Sequence, residues 1–358
     1  MNKQITVGDW VEVRQESEIL QTLDENGELE GIPFMPEMVR FCGQKLQVYK
    51  RAHKTCDNIV GRARRLEHTV HLETRCSGEG HGGCQAGCLL FWKELWLHPL
   101  ESVKGTRLVT LGSNQKEQEC ASRGTESIFS CTFVQEGAWI RYCCQATQIR
   151  SAGQSVRWWD MRQYLEDYLS GNEGLWRIIC GATNALCLNL ARTGMGIGPA
   201  VRWFYDRFHF IWGGCPFPRR LGSIPRGQRT PVASLNLRPG ELVRVRSLQE
   251  IEPTLDTAGQ NRGLYFDPEQ VPYVNGTYRV LRRVERIISE KTGRMLELRT
   301  PSVVLESVVC QGRYGACRMF CPRSSYALWR EAWLDRIPQN TCSEYSEEGK
   351  SGAATGAE

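Results

Sequence analysis

The chain offers no apolar run long enough to span a bilayer. The uncharged stretch between Arg177 and Arg192 falls short of the roughly 20 residues such a helix needs. Its opening residues, MNKQITVGDWVEV, have neither the apolar centre nor the cleavage site of a secretory signal, which predicts a cytoplasmic protein. Histidine is scarce, at six residues in 358, and no HExxH, GxSxG or nucleotide-binding pattern is present. The common zinc-protease, serine-hydrolase and P-loop chemistries therefore have no foothold. The glycine-rich GMGIGP at 194–199 fits neither GxGxxG nor a P-loop and reads as a break after a helix. A net charge of +5 is too small to imply nucleic acid, and no RNP or zinc-knuckle spacing adds to it. Cysteine, by contrast, is abundant at 16 residues. In a reducing compartment that number argues against a disulfide framework and leaves metal ligation or buried thiols.

The chain also repeats itself. VGDWVEVRQESEILQTLDENGELEGIPFMPE from Val7 aligns without a gap with PGELVRVRSLQEIEPTLDTAGQNRGLYFDPE from Pro239, an offset of 232 residues. Gly8/Gly240, Val11/Val243, Phe34/Phe266 and Pro36/Pro268 are among the matched pairs. VHLE at Val70 then answers to VVLE at Val303, and WKELWL at Trp92 to WREAWL at Trp329. Each copy has alternating apolar residues and Asn-Gly or Gly-rich turns, the pattern of short strands. The expected fold class is α+β, mainly β. Two SH3-like small β-barrel modules, at 5–100 and 237–337, flank a mixed middle region with helices at 101–236, and a disordered tail follows at 338–358.

In the middle, SIFSCTFV and AWIRYCCQATQI read as strands. WWDMRQYLEDYLSGN and LWRIICGATNALCLNLARTG read as helices. The second of these is a core helix or, with the aromatic and basic RFHFIWGG, part of a surface at 175–211 for a membrane or partner. Trp92 and Trp96 lie four apart and are expected on one helical face. The basic RAHKTCDNIVGRARRLEH reads as a solvated loop, with phosphate or anionic lipid as its functional alternative.

Cysteines concentrate in RCSGEGHGGCQAGC, residues 75–88. Cys76, Cys84 and Cys88 surround His81, and Cys56 is the nearest upstream cysteine in the same repeat. Cys76 and Cys84 have counterparts in Cys310 and Cys321, whereas Cys56 aligns with Ile288 and Cys88 with no cysteine. The first module is thus the expected site of chemistry. Cys56, Cys76, Cys84 and Cys88 are the candidate metal ligands, because four soft thiolates can close the shell of Zn²⁺ or hold an iron–sulfur cluster. The Cys-x7-Cys-x3-Cys spacing matches neither the common zinc ribbons nor the ferredoxin runs, so both metals stay open. Buried structural thiols, and a reactive cysteine beside His81, are the competing readings. Cys143 and Cys144, adjacent in an expected strand, face opposite ways, so at most one joins a given site.

GIPFMPEMVRFCGQKLQVYKRAHKTCD, VHLETRCSGEGHGGCQAGCLLFWKELWL and VVCQGRYGACRMFCPRSSYALWREAWL resemble segments of an uncharacterised bacterial protein family encoded in polysaccharide or natural-product biosynthetic gene clusters. The resemblance spans most of residues 5–337. It implies a biosynthetic setting and no particular activity; together with the candidate thiolate ligands, the expectation is a metal-binding protein that catalyses or assists one step of a pathway and meets another protein of it. A non-catalytic module docking a carrier protein, enzyme or RNA, and a membrane-peripheral scaffold, are the alternatives.

Overall fold

The computed structural model describes residues 4–100, 131–191, 196–212, 214–315 and 317–338. Strand residues outnumber helical ones in a mixed α+β chain. Two compact units result. The first comprises Met1–Pro218, Arg286–Leu298 and Val309–Tyr326; the second comprises Arg219–Glu285, Arg299–Val308 and Ala327–Glu358.

The first unit is built on a five-stranded antiparallel sheet. Its strands run Leu89–Lys93, Thr69–Arg75, Lys45–Arg51, Trp10–Val13 and Leu97–Pro99 in spatial order. The period-two pattern of WVEV sends Val11 and Val13 into the core, at 0 and 1% exposure, and Trp10 outward. Trp92 and Trp96 fill the centre. Each indole N–H has a hydroxyl partner, Thr74 Oγ1 at 2.9 Å and Thr22 Oγ1 at 3.0 Å, so burying the rings strands no donor. Phe34 meets Trp96 edge-on with centroids 5.4 Å apart.

The second unit holds a sheet of the same order: Trp329–Arg330, Ser302–Leu305, Thr277–Arg283, Leu242–Val245 and Leu334–Arg336. The pairing of its strands Leu242–Val245 and Thr277–Arg283 is that of Trp10–Val13 and Lys45–Arg51 moved by 232 residues. Trp10 pairs with Gln47 and Leu242 with Arg279, and a bulge lies at Val48/Lys50 and at Val280/Arg282. Trp333 Nε1 bonds Thr254 Oγ1 at 3.0 Å, and Phe266 meets Trp333 edge-on at 5.3 Å.

The units do not follow the boundaries expected from the repeat. The hairpin Arg286–Ile288/Met295–Glu297 and the loop Val309–Tyr326 lie within the second copy of the sequence, yet they belong to the first unit. Their hydrogen bonds explain this: Gln85 N–H reaches Arg286 O at 3.0 Å, and Arg75 Nη2 reaches Ser324 O at 2.9 Å.

Several local expectations change. Trp92 and Trp96 do not share an α-helix. Trp92 lies in the strand Leu89–Lys93 and Trp96 in the 3-10 turn Glu94–Trp96, because both rings must enter one core from an extended chain. AWIRY pairs as a strand over Trp139–Tyr142, but Cys144 is already the N-cap of the helix Gln145–Ala152. RAHKTCDNIVGRARRLEH is not a solvated loop. It forms the hairpin Lys54–Asp57/Arg62–Arg65, and Lys54 is 1% exposed against Asp167. The middle helices are Arg162–Leu169, Leu175–Leu190 and Gly198–Phe208. No described helix is long and apolar enough to cross a membrane. The first two residues of GMGIGP, the start of SIFSCTFV and nearly all of the 338–358 tail lie outside the described residues.

Candidate metal centre

The cysteine-rich loop leaves the strand Thr69–Arg75 and returns as the strand Leu89–Lys93. Cys76 N–H closes it on Cys88 O at 2.9 Å. Between them lies the 3-10 turn Glu79–His81, bracketed by Gly78 (φ 80°) and Gly82 (φ 61°) in the left-handed region. Glycine is required at 78 for a second reason: a Cβ there would stand 2.0 Å from Cys84 O. The tight turn aims Cys76, Cys84 and Cys88 at one place.

That place is a small cavity of about 30 Å³ in the first unit. Its walls include Cys76, Cys84, Cys88 and Cys144, with His81 and Ile288. Of the four cysteines expected to act together, three are therefore joined here. The fourth thiol is Cys144, not Cys56. Cys56 lies instead against Cys321, whose Sγ accepts its backbone N–H at 3.1 Å. Cys144 enters because Gln145 anchors its helix to the sheet edge, bonding Phe91 N and O at 2.9 Å each and Pro33 O at 3.0 Å. Cys143, its neighbour, lies 3.8 Å from Arg141 Nη1 and is not among the cavity residues. No disulfide joins the described cysteines.

His81 sits at the cavity edge, 1% exposed, between two acceptors. Its Nδ1 lies 2.9 Å from Glu37 Oε1 and its Nε2 3.2 Å from Cys143 O. Both ring nitrogens thus lie within hydrogen-bond distance of an oxygen, and Nδ1 shares Glu37 with Cys76. Glu37 also receives Gly80 N–H at 3.2 Å and the Cys76 thiol at 3.5 Å, while its Oε2 is buried without a hydrogen-bond partner. Burial opposes charge on Glu37, but the bond and charge of His81 outweigh it and hold the carboxyl below its usual range. The other histidines lie elsewhere. His71 is buried on Leu90 O at 2.8 Å, and burial drives its pKa down to about 3; His53 meets Asp167, and His68 is exposed beside Glu30.

Burial favours the protonated form of Cys76, Cys88 and Cys144. Burial, then the Glu37 carboxylate and Cys88, push Cys76 far above the ordinary thiol range. Burial, with Cys88 next, pushes Cys144 up to about 12. Burial raises Cys88 as well, although the Arg323 guanidinium opposes it. Metal binding must displace these protons.

Spacing bears on which metal suits. Among the described residues, Glu37, Cys76 and His81 form the group whose ligand atoms all lie within 4.8 Å of one another. No three of the four thiols meet that limit. One tetrahedral zinc with bonds of ~2.3 Å needs its sulfurs ~3.8 Å apart. In an iron–sulfur cluster each thiolate binds a different iron, so the ring of sulfurs is wider.

Comparison of the chain with protein-family models, with curated proteins and with solved structures gave no match.

Proposed function

We propose that this is a metalloprotein whose centre, an iron–sulfur cluster, is held by Cys76, Cys84, Cys88 and Cys144. The observation that carries this reading is the convergence of four thiols, from two distant chain segments, on one cavity. At about 30 Å³ the cavity is far below the roughly 300–1,000 Å³ of an organic-ligand pocket, which favours an inorganic occupant. That no three of these thiols lie within 4.8 Å of one another counts against a single zinc bound by them. The unpartnered Oε2 of Glu37 and the His81 ring beside it supply a polar edge next to the sulfurs.

Four thiolates leave no ligand position open, so the chemistry such a group supplies is electron transfer or structural support rather than direct substrate binding. The protein's part is to position the sulfurs on a glycine-locked loop and to keep water out. We read the two five-stranded sheets as two copies of one SH3-like module, and the setting as a cytoplasmic biosynthetic pathway with a protein partner. Iron, zinc and acid-labile sulfide per chain, measured after anaerobic purification, test this reading. Stoichiometric iron and sulfide support it, zinc alone would reassign the centre as a structural ion, and a metal-free folded protein would overturn it.

A second reading, a membrane-peripheral surface, is favoured by the exposed Trp159, Trp176, Trp203, Phe204, Phe210 and Ile211, five of them within 175–211. Flotation with anionic liposomes tests it.

A further inference from the structure

Two helices of the first unit, Leu175–Leu190 and Gly198–Phe208, expose large apolar side chains that a folded chain normally covers. They do so in opposite directions. Leu188 and Tyr205 are buried in one cluster with Phe217. Leu188 stands two residues from both Leu186 and Leu190, and Tyr205 two residues from both Trp203 and Arg207. Two residues are about 200° around an α-helix, so each exposed face points away from the shared cluster. One flat lipid surface meets one of these faces and not both.

The faces differ in charge. On the first helix Leu175, Ile179, Leu186 and Leu190 form an exposed stripe without a charge, and the one ionic residue of that helix, Arg177, is bound to Glu173 at 3.0 Å. On the second helix Trp203 and Phe204 are 67 and 52% exposed, and Phe210 and Ile211, in the 3-10 turn His209–Trp212 that follows, are 64 and 62% exposed. Arg207 lies among them, exposed, with no ion-pair or hydrogen-bond partner among the described residues. Arg202 is also exposed, and its nearest carboxylate, Asp206, is 3.7 Å away and accepts the Phe217 N–H with its other oxygen. A guanidinium with free donors beside indole and phenyl rings matches a lipid interface, where aromatic rings sit at headgroup level and phosphate oxygens accept.

We infer that residues 198–211 are a lipid anchor: Trp203, Phe204, Phe210 and Ile211 enter the headgroup boundary, and Arg207 binds the phosphate of an anionic phospholipid. The inference rests on the membrane-peripheral reading and assigns the element and the lipid class to it. The apolar side chains supply the burial, as in helices that lie in the plane of a bilayer surface. The arginine supplies the preference for anionic lipid, and its long stem lets the charged head stay at the phosphates while the rings beside it go deeper. Packing two copies of this face on each other would instead bring unpaired arginines together.

Flotation of the full chain with phosphatidylcholine vesicles, with and without phosphatidylglycerol, tests this. Tighter binding is expected with phosphatidylglycerol, weakening as salt is added. Arg207→Gln should lower the partition coefficient on the anionic vesicles about fivefold. Trp203→Ser with Phe210→Ser should lower it about a hundredfold. Ile179→Ser with Leu186→Ser, on the opposite face, should leave it unchanged. All four of these apolar side chains are exposed, so both double variants should keep the fold, which circular dichroism checks. Loss in the Ile179/Leu186 variant with retention in the Trp203/Phe210 variant would overturn the inference and leave the membrane reading standing. Equal binding of the unaltered chain to both kinds of vesicle would overturn the role of Arg207. No binding to either would overturn the inference and the membrane reading together, and would hand the face to an acidic protein surface.

Discussion

Replacing Gly78 by alanine should cost more than the same change at Gly83, five residues away in one loop. Both glycines lie in the left-handed region, at φ 80° and φ 74°. The backbone penalty for alanine there is about 1–2 kcal/mol at either position. Their surroundings differ. A Cβ at Gly83 would meet the Arg286 Cδ at 4.0 Å, an ordinary contact with a flexible side chain. A Cβ at Gly78 would lie 2.0 Å from Cys84 O and 2.8 Å from Cys84 N and C, and backbone must shift to admit it. Overpacking of this kind adds about 1–3 kcal/mol. Gly78→Ala should therefore destabilise the first unit by about 2–5 kcal/mol and Gly83→Ala by about 1–2 kcal/mol. The shift also moves Cys84 away from the other thiols, so Gly78→Ala should lower metal content while Gly83→Ala leaves it intact. Urea unfolding followed by tryptophan fluorescence gives the stability difference, since Trp92 and Trp96 are buried in that unit. Equal costs for the two substitutions, with equal metal content, would refute the geometry of the loop.

Three more outcomes follow from the same structure. Metal affinity should rise steeply with pH, because Cys76, Cys88 and Cys144 give up protons on binding; three protons mean about a thousandfold per pH unit, measurable by chelator competition. The metal-free form should behave in the opposite sense: a folded thiol raised to about 12 contributes stability below its unfolded value of 9.0 that is lost as pH climbs between the two, so alkaline unfolding should occur earlier than in a Cys144→Ala variant. Asp167→Asn should destabilise the first unit by about 3–5 kcal/mol, since Lys54 and Asp167 are 1 and 0% exposed and the ammonium would lose its counter-charge, whereas Lys54→Met with Asp167→Leu should recover most of that loss in thermal unfolding.

How much was legible in the sequence depended on range. Alternation in WVEV, the turn glycines and the 232-residue offset are local or self-referential signals, and the pairing of the first two strands of each sheet follows that offset residue for residue. The glycine-rich spacing around His81 likewise gathers Cys76, Cys84 and Cys88 within one loop. Cys144 was not recoverable as the fourth thiol. It lies 56 residues beyond Cys88, and what brings it in is the docking of its helix through Gln145. The adjacency of Cys143 and Cys144 did carry the information that one at most could join. Cys56 lies outside that cavity for a related reason: nothing local tells that its hairpin backs the loop of the other copy. The tryptophan pair was misread as helical because a spacing of four is also produced by a strand running into a 3-10 turn. Lys54 was read as solvated because its partner, Asp167, is 113 residues away.

The central claim is that Cys144 completes the centre, and the most direct test compares two neighbouring substitutions. Cys144→Ser and Cys143→Ser are purified anaerobically beside the unaltered chain, and iron and sulfide are counted per folded chain. The account predicts that Cys144→Ser loses the centre, as Cys84→Ser does, while Cys143→Ser keeps it in full. Retention in Cys144→Ser together with loss in Cys56→Ser would contradict it.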